Sequence, residues 1–100
     1  MAFDRPSHVC PVCGYPDLRQ PPWRGDSGSF EICSSCGTHF GYEDAAGGDV
    51  LARPARYLVL REKWMAAGYP WFSPSRRPPS GWDPIRQLRR ITERNRSDED

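Results

Sequence analysis

One hundred residues, a formal net charge of +1 and only 37% apolar side chains confine this chain to one small domain, or a mini-domain with an appendage. No run approaches the ~20 consecutive apolar residues of a membrane-spanning helix, so none is expected. Met1 is followed by Ala-Phe-Asp-Arg-Pro, with no apolar signal-peptide core, so a soluble, cytoplasmic protein is expected.

The first elements in chain order are two turns that together use all four cysteines, Cys10-Pro11-Val12-Cys13 and Cys33-Ser34-Ser35-Cys36, nineteen residues apart. Two sulfurs separated by two residues approach one ion from the same side, and two such turns supply the tetrahedral four-sulfur set that Zn²⁺ favours. Gly14 and Gly37 follow the second cysteine of each turn, where a tight knuckle requires positive φ. Cys10, Cys13, Cys33 and Cys36 are therefore the expected metal ligands, with a structural role. Iron is the alternative occupant, because a rubredoxin-like site has the same four-thiolate chemistry. Two disulfides suit a secreted chain, which the N-terminus does not suggest. A thioredoxin-type redox pair needs a helix opening at the motif, whereas Gly14-Tyr15-Pro16 and Gly37-Thr38-His39 predict turns. With four thiolates the coordination shell is closed, so neither His8 nor His39 is expected to ligate and no catalytic zinc is expected.

Between the knuckles, Gly25-Asp26-Ser27-Gly28 matches the nucleophile tetrapeptide of trypsin-like proteases, but a triad is recognised by geometry and needs a larger scaffold. The four residues predict a hairpin turn. Ser29-Phe30-Glu31-Ile32 then alternates polar and apolar, as a strand does. Trp23, Phe30, Ile32, Phe40 and Tyr42 are the candidate apolar cover of the metal site.

After Ala45-Ala46-Gly47-Gly48-Asp49 the pattern turns helical. Pro54 suits a first helical turn and Gly68 a stop; Tyr57, Leu60, Trp64 and Met65 form an apolar stripe expected to pack on the first half. Residues 69–82 follow as a linker in which five of fourteen residues are proline or glycine, yet four are aromatic. These aromatics either seal the joint between helix and ribbon or form a partner surface. A second helix is predicted with Asp83 as cap, Pro84 at its first position and Ile85, Leu88 and Ile91 as its apolar face. Ser97-Asp98-Glu99-Asp100 reads as a fraying acidic tail.

Charge divides along the chain. Residues 1–50 carry three Arg against seven acids, and residues 51–100 eleven Lys or Arg against six acids. Four thiolates around Zn²⁺ add −2 to the acidic half. Arg76 and Arg77 lie in the aromatic linker, and Arg86, Arg89, Arg90, Arg94 and Arg96 crowd the last helix. Basic residues interleaved with Trp71 and Trp82 could grip single-stranded nucleic acid by phosphate pairing and base stacking. The same arginines could instead form a solvated face that offsets the acidic half.

Cys10-Pro11-Val12-Cys13-Gly14-Tyr15, then Phe30-Glu31-Ile32-Cys33-Ser34-Ser35-Cys36 and Glu43-Asp44, resembles the small bacterial cysteine-rich proteins of the CPCC family, over roughly residues 8–45. Val12 stands where that family usually has a third cysteine, Ser34 where it has proline, and Gly37-Thr38 where it has an aromatic pair. The segment is also similar to zinc ribbons and rubredoxins generally. The resemblance implies a zinc-ribbon-like fold and no assigned activity.

These readings converge on a small α+β protein, a zinc ribbon of short antiparallel β-strands with two C-terminal α-helices. Its expected parts are a zinc-ribbon module (1–50), a helix packed on it (51–68), the aromatic linker (69–82), a basic helix (83–96) and the tail (97–100). The expected function is a noncatalytic binding or adaptor module for protein or nucleic acid, through Arg76, Arg77, Trp71, Trp82, Arg86, Arg89 and Arg90. No small-molecule substrate is expected; the different-class alternative is iron-based electron transfer. Fifty residues alone can hardly bury enough apolar area to fold without a staple, and structural zinc contributes about 10 to 16 kcal/mol apparent in small zinc peptides. Strong chelation is therefore expected to unfold the first half, read as loss of circular dichroism and amide dispersion once metal removal is verified.

Overall fold

In the computed structural model, which describes residues 8–24 and 27–92, the first described element is a backbone loop closed by the antiparallel bridge His8↔Leu18. The first knuckle is the tip of that loop. A two-stranded antiparallel sheet follows, β1 (Trp23–Arg24) and β2 (Ser27–Gly28), in the register Trp23↔Gly28 and Arg24↔Ser27. Ser27 and Gly28 are thus strand residues, and the two-residue connection Gly25-Asp26 lies outside the described residues. The second knuckle is the tip of another short loop, closed by the bridge Ile32↔His39.

Ser29–Ile32 does not form the expected strand. Phe30 takes φ 63°, in the left-handed region, so the pleat breaks at its second residue. The loop is held instead by Phe30 N donating to the Phe40 carbonyl at 2.9 Å and Phe40 N donating to that of Glu31 at 3.1 Å. Of the five aromatic and aliphatic residues expected to cover the site, Phe40 is fully buried and Trp23 half-buried, while Phe30, Ile32 and Tyr42 are exposed.

Two 3₁₀ turns, Ala46–Gly48 and Val50–Ala52, lead into α1 (Arg53–Ala66), which has Pro54 in its first turn and ends before Gly68 at φ 98°. Leu60 and Trp64 are buried and Tyr57 half-buried, whereas Met65 is exposed. The docking face is Tyr57, Leu60, Arg61 and Trp64, the i, i+3, i+4, i+7 set of one helical stripe. Met65, one residue after Trp64, is turned about 100° away.

In α2 (Pro84–Thr92), Asp83 Oδ1 accepts from Ile85 N and Arg86 N, both at 3.1 Å, which is the predicted N-terminal cap. The buried face again follows the i, i+3, i+4, i+7 rule, with Pro84, Gln87, Leu88 and Ile91 on it. Ile85 is exposed and Gln87 is 5% exposed. The three-residue spacing of Ile85, Leu88 and Ile91 drifts around the helix, so Ile85 leaves the contact.

Both helices pack on the knuckle region of the same chain, giving a small α+β core of Val12, Tyr15, Leu18, Phe40, Leu60, Trp64 and Leu88 with the buried cysteines. Asp44, fully buried, joins three parts of it. Its carboxylate accepts from Trp23 Nε1 at 2.7 Å, Gly41 N at 2.7 Å and the Tyr57 hydroxyl at 3.0 Å, linking the hairpin, the second loop and α1. Burial, and then the Asp44 charge, push the Tyr57 phenol above its ordinary range, keeping the proton it donates. Among the described residues no helix is long and apolar enough to cross a membrane.

Gly14 limits how α2 approaches. It has φ 87°, and a Cβ there would collide with the Gln87 carbonyl of α2. Gly14→Ala is expected to destabilise the fold by about 3 kcal/mol, from left-handed strain plus displacement of the helix. Gly48→Ala, at φ 90° with nothing within 4 Å, is expected to cost only about 1 kcal/mol. Urea unfolding of the two variants measures the difference.

Candidate metal centre

The two knuckles are built alike from their backbones. In the first, Gly14 N donates to the Cys10 carbonyl at 2.9 Å and Cys10 N to that of Tyr15 at 2.8 Å; in the second, Gly37 N donates to Cys33 at 2.8 Å and Cys33 N to Thr38 at 3.0 Å. Each turn folds back on its first cysteine, and the glycine that permits this has φ 87° or 82°. Both cysteine side chains of a knuckle are thereby presented on one side.

All four sulfurs lie within 4.8 Å of one another. Cys10 and Cys36 are 3.8 Å apart and Cys13 and Cys33 3.7 Å, each pair crossing between knuckles. A tetrahedral ion with metal–sulfur bonds of about 2.3 Å has sulfur–sulfur edges of roughly 3.8 Å. The four thiols are unbridged, and together they could hold a metal ion. His8 and His39 are not members of this group. His39 packs between Phe30 and Tyr42, with ring centroids at 6.1 and 5.7 Å, and its backbone N donates to Glu43 Oε1.

The thiols do not ionise alike. Burial first, and then hydrogen bonding among the sulfurs, pushes the Cys10 thiol well above its ordinary range. Hydrogen bonds from Cys10, Cys13 and Cys33 hold Cys36 far below its own. Bringing four buried sulfurs together as thiolates requires a cation among them. Around the sulfurs, Val12 N points to Cys10 Sγ at 3.4 Å and Thr38 Oγ1 lies 3.2 Å from Cys36 Sγ.

The knuckles are fixed from outside by two polar residues on the helices. Arg61 of α1 donates to the Val12 carbonyl through Nε at 2.8 Å and to the Pro11 carbonyl through Nη2 at 2.9 Å. Gln87 of α2 donates through Nε2 to the Cys13 carbonyl at 3.1 Å and to Ser35 Oγ at 3.0 Å, while its Oε1 accepts from Trp82 Nε1 at 2.9 Å. Gln87 therefore touches both knuckles. The linker completes the second: Phe72 N donates to the Ser34 and Ser35 carbonyls and Ser73 N to Ser34, while the Phe72 ring covers Gly37. The contacts of Arg61, Gln87, Thr38 and Asp44 are not legible in the sequence, although Thr38 and Asp44 fall in the segment that resembles the CPCC family. The recoverable signal for the first two was their place within an otherwise apolar helical stripe.

The residues expected to meet a partner are dispersed over the linker and α2. Trp71 and Trp82 are half-buried and stack edge-to-face with centroids 5.1 Å apart; Trp71 also packs on Tyr15 at 5.7 Å and donates to the Arg76 carbonyl. Arg76 reaches the Tyr15 hydroxyl at 3.4 Å. Arg77, Arg86, Arg89 and Arg90 are exposed. Arg94 and Arg96 lie outside the described residues, as does the acidic tail. No protein family, curated protein or solved structure matches the chain.

Gln87→Leu keeps the volume of the side chain but removes its contacts to Cys13, Ser35 and Trp82. Metal affinity is expected to fall about tenfold, the lower end for loss of a group that orients ligands. Competition against a chromogenic chelator measures it.

Proposed function

We propose that this chain is a noncatalytic binding module of zinc-ribbon type, in which Zn²⁺ on Cys10, Cys13, Cys33 and Cys36 has a structural role and α2 offers a cationic face to nucleic acid. The observation that carries the reading is the two-sided character of α2. Gln87 and Leu88 are clamped on the knuckle region, while Arg86, Arg89 and Arg90 are exposed on the other side. A metal-fixed core would hold that face in one orientation, a useful arrangement for phosphate pairing.

The four buried or half-buried sulfurs with edges near those of a thiolate-zinc tetrahedron support the structural role. The resemblance of the knuckles to the CPCC family agrees with it. Because Trp71 and Trp82 are engaged with each other and with Tyr15, binding in this reading rests on arginine–phosphate contacts more than on base stacking. An acidic protein surface would present the same complementary charge.

Elemental analysis of protein purified without added metal tests the first half of the proposal. About one zinc per chain supports it, whereas iron with visible thiolate absorption supports the rubredoxin-like alternative. For the second half, single-stranded DNA or RNA is titrated at two salt concentrations. Three phosphate contacts give a log–log salt slope of roughly −2, and each of Arg86→Ala and Arg90→Ala lowers its magnitude by roughly 1. No affinity at low salt would sink the nucleic-acid reading.

A further inference from the structure

The four cysteines are unequally covered. Cys10, Cys13 and Cys33 are fully buried, and Cys36 is half-buried. Cys36 also lines a cleft of about 250 Å³ between the second knuckle and α1, together with Thr38, Glu43, Lys63 and Trp64. Access to a reagent decides which of several clustered thiols reacts first. The cleft gives Cys36 that access, and Thr38 Oγ1 lies 3.2 Å from its sulfur. The second sulfur of a reaction is close by, with Cys10 Sγ 3.8 Å away on the other knuckle. The Cys13 and Cys33 pair, 3.7 Å apart, is buried on both sides.

We propose that Cys36 is a modification site for small hydroperoxides, and that its oxidation opens the metal centre by forming a Cys10–Cys36 disulfide. The inference rests on the metal-binding reading above. In the first step the Cys36 thiolate attacks one peroxide oxygen; an S–O bond forms, the O–O bond breaks, and the leaving hydroxide takes a proton from solvent to become water. In the second, the Cys10 thiolate attacks the Cys36 sulfenic acid; the S–S bond forms, the S–O bond breaks, and hydroxide leaves to be protonated as water. Two thiolates lose two electrons, hydrogen peroxide gains them, and two protons are consumed. An ion held by the four sulfurs would keep its oxidation state and lose two of its four donors.

The full chain, its metal content first fixed by elemental analysis, is treated with one equivalent of hydrogen peroxide. Metal release is followed with a chromogenic chelator, and disulfides are mapped by peptide mass spectrometry. The expected result is loss of the bound ion with Cys10–Cys36 as the disulfide, and first alkylation at Cys36 under limiting iodoacetamide. A Cys13–Cys33 disulfide, or equal labelling of all four cysteines, overturns the proposal. Should the elemental analysis find no metal, the metal-binding reading fails by itself, and the order of iodoacetamide labelling in the same sample still decides for or against Cys36.

Discussion

Everything in this fold refers to the meeting of two turns at one point. The apolar core is small, and three of its fully buried members are cysteines, so packing alone leaves little to hold the loops together. Bringing four sulfurs within 4.8 Å sets the spacing of the knuckles, and that spacing creates the surface on which α1 and α2 dock. The helices then act on the turns in the opposite direction. Arg61 occupies the carbonyls of Pro11 and Val12, and Gln87 that of Cys13. Three successive carbonyls of the first knuckle are thus satisfied by side chains from the second half of the chain, where buried carbonyls without partners would be costly.

The parts of this arrangement that follow from strong local rules were readable in the sequence. Cysteine spacing and the glycine after each pair announce the knuckles. Pro54 and Gly68 bracket α1, and Asp83-Pro84 opens α2. What escaped was the use of polar side chains in buried slots. Arg61 and Gln87 look like surface residues by type, and only the helix period places them among Leu60, Trp64 and Leu88. Asp44 is equally silent, because its three donors come from segments that are distant in sequence and meet only after folding. The reading of Ser29–Ile32 as a strand failed for another reason. Alternation describes which side chains share a face, but here Phe30 adopts a left-handed backbone and Phe30 and Ile32 stay exposed, so the pleat breaks even though the segment is bonded to Phe40 and bridged to His39.

Charge is arranged by depth as well as along the chain. Asp44 is buried and answered by three donors, and Glu31 is occupied by the backbone N–H groups of Arg19 and Gln20. The Arg53 guanidinium stacks on Trp23 at 3.6 Å to the ring centroid, a cation–π contact that covers the tryptophan whose N–H serves Asp44. Arg53, Arg56 and Arg61 are thus engaged inside the structure, with Arg56 donating to the Glu43 carbonyl. Arg86, Arg89 and Arg90 of α2 differ from these in being exposed. Counting basic residues in the second half therefore overstates the charge available at the surface.

Gln87 reaches back across 74 residues to Cys13 and 52 residues to Ser35. As a chain emerges from its N-terminus during synthesis, both knuckles are complete well before the side chain that joins them exists. Early in that interval the four thiols precede α1 and Phe72 as well, and until its end they lack the cover of α2. An ion held by the nascent turns would spare them from competing thiol chemistry until α2 closes over the site.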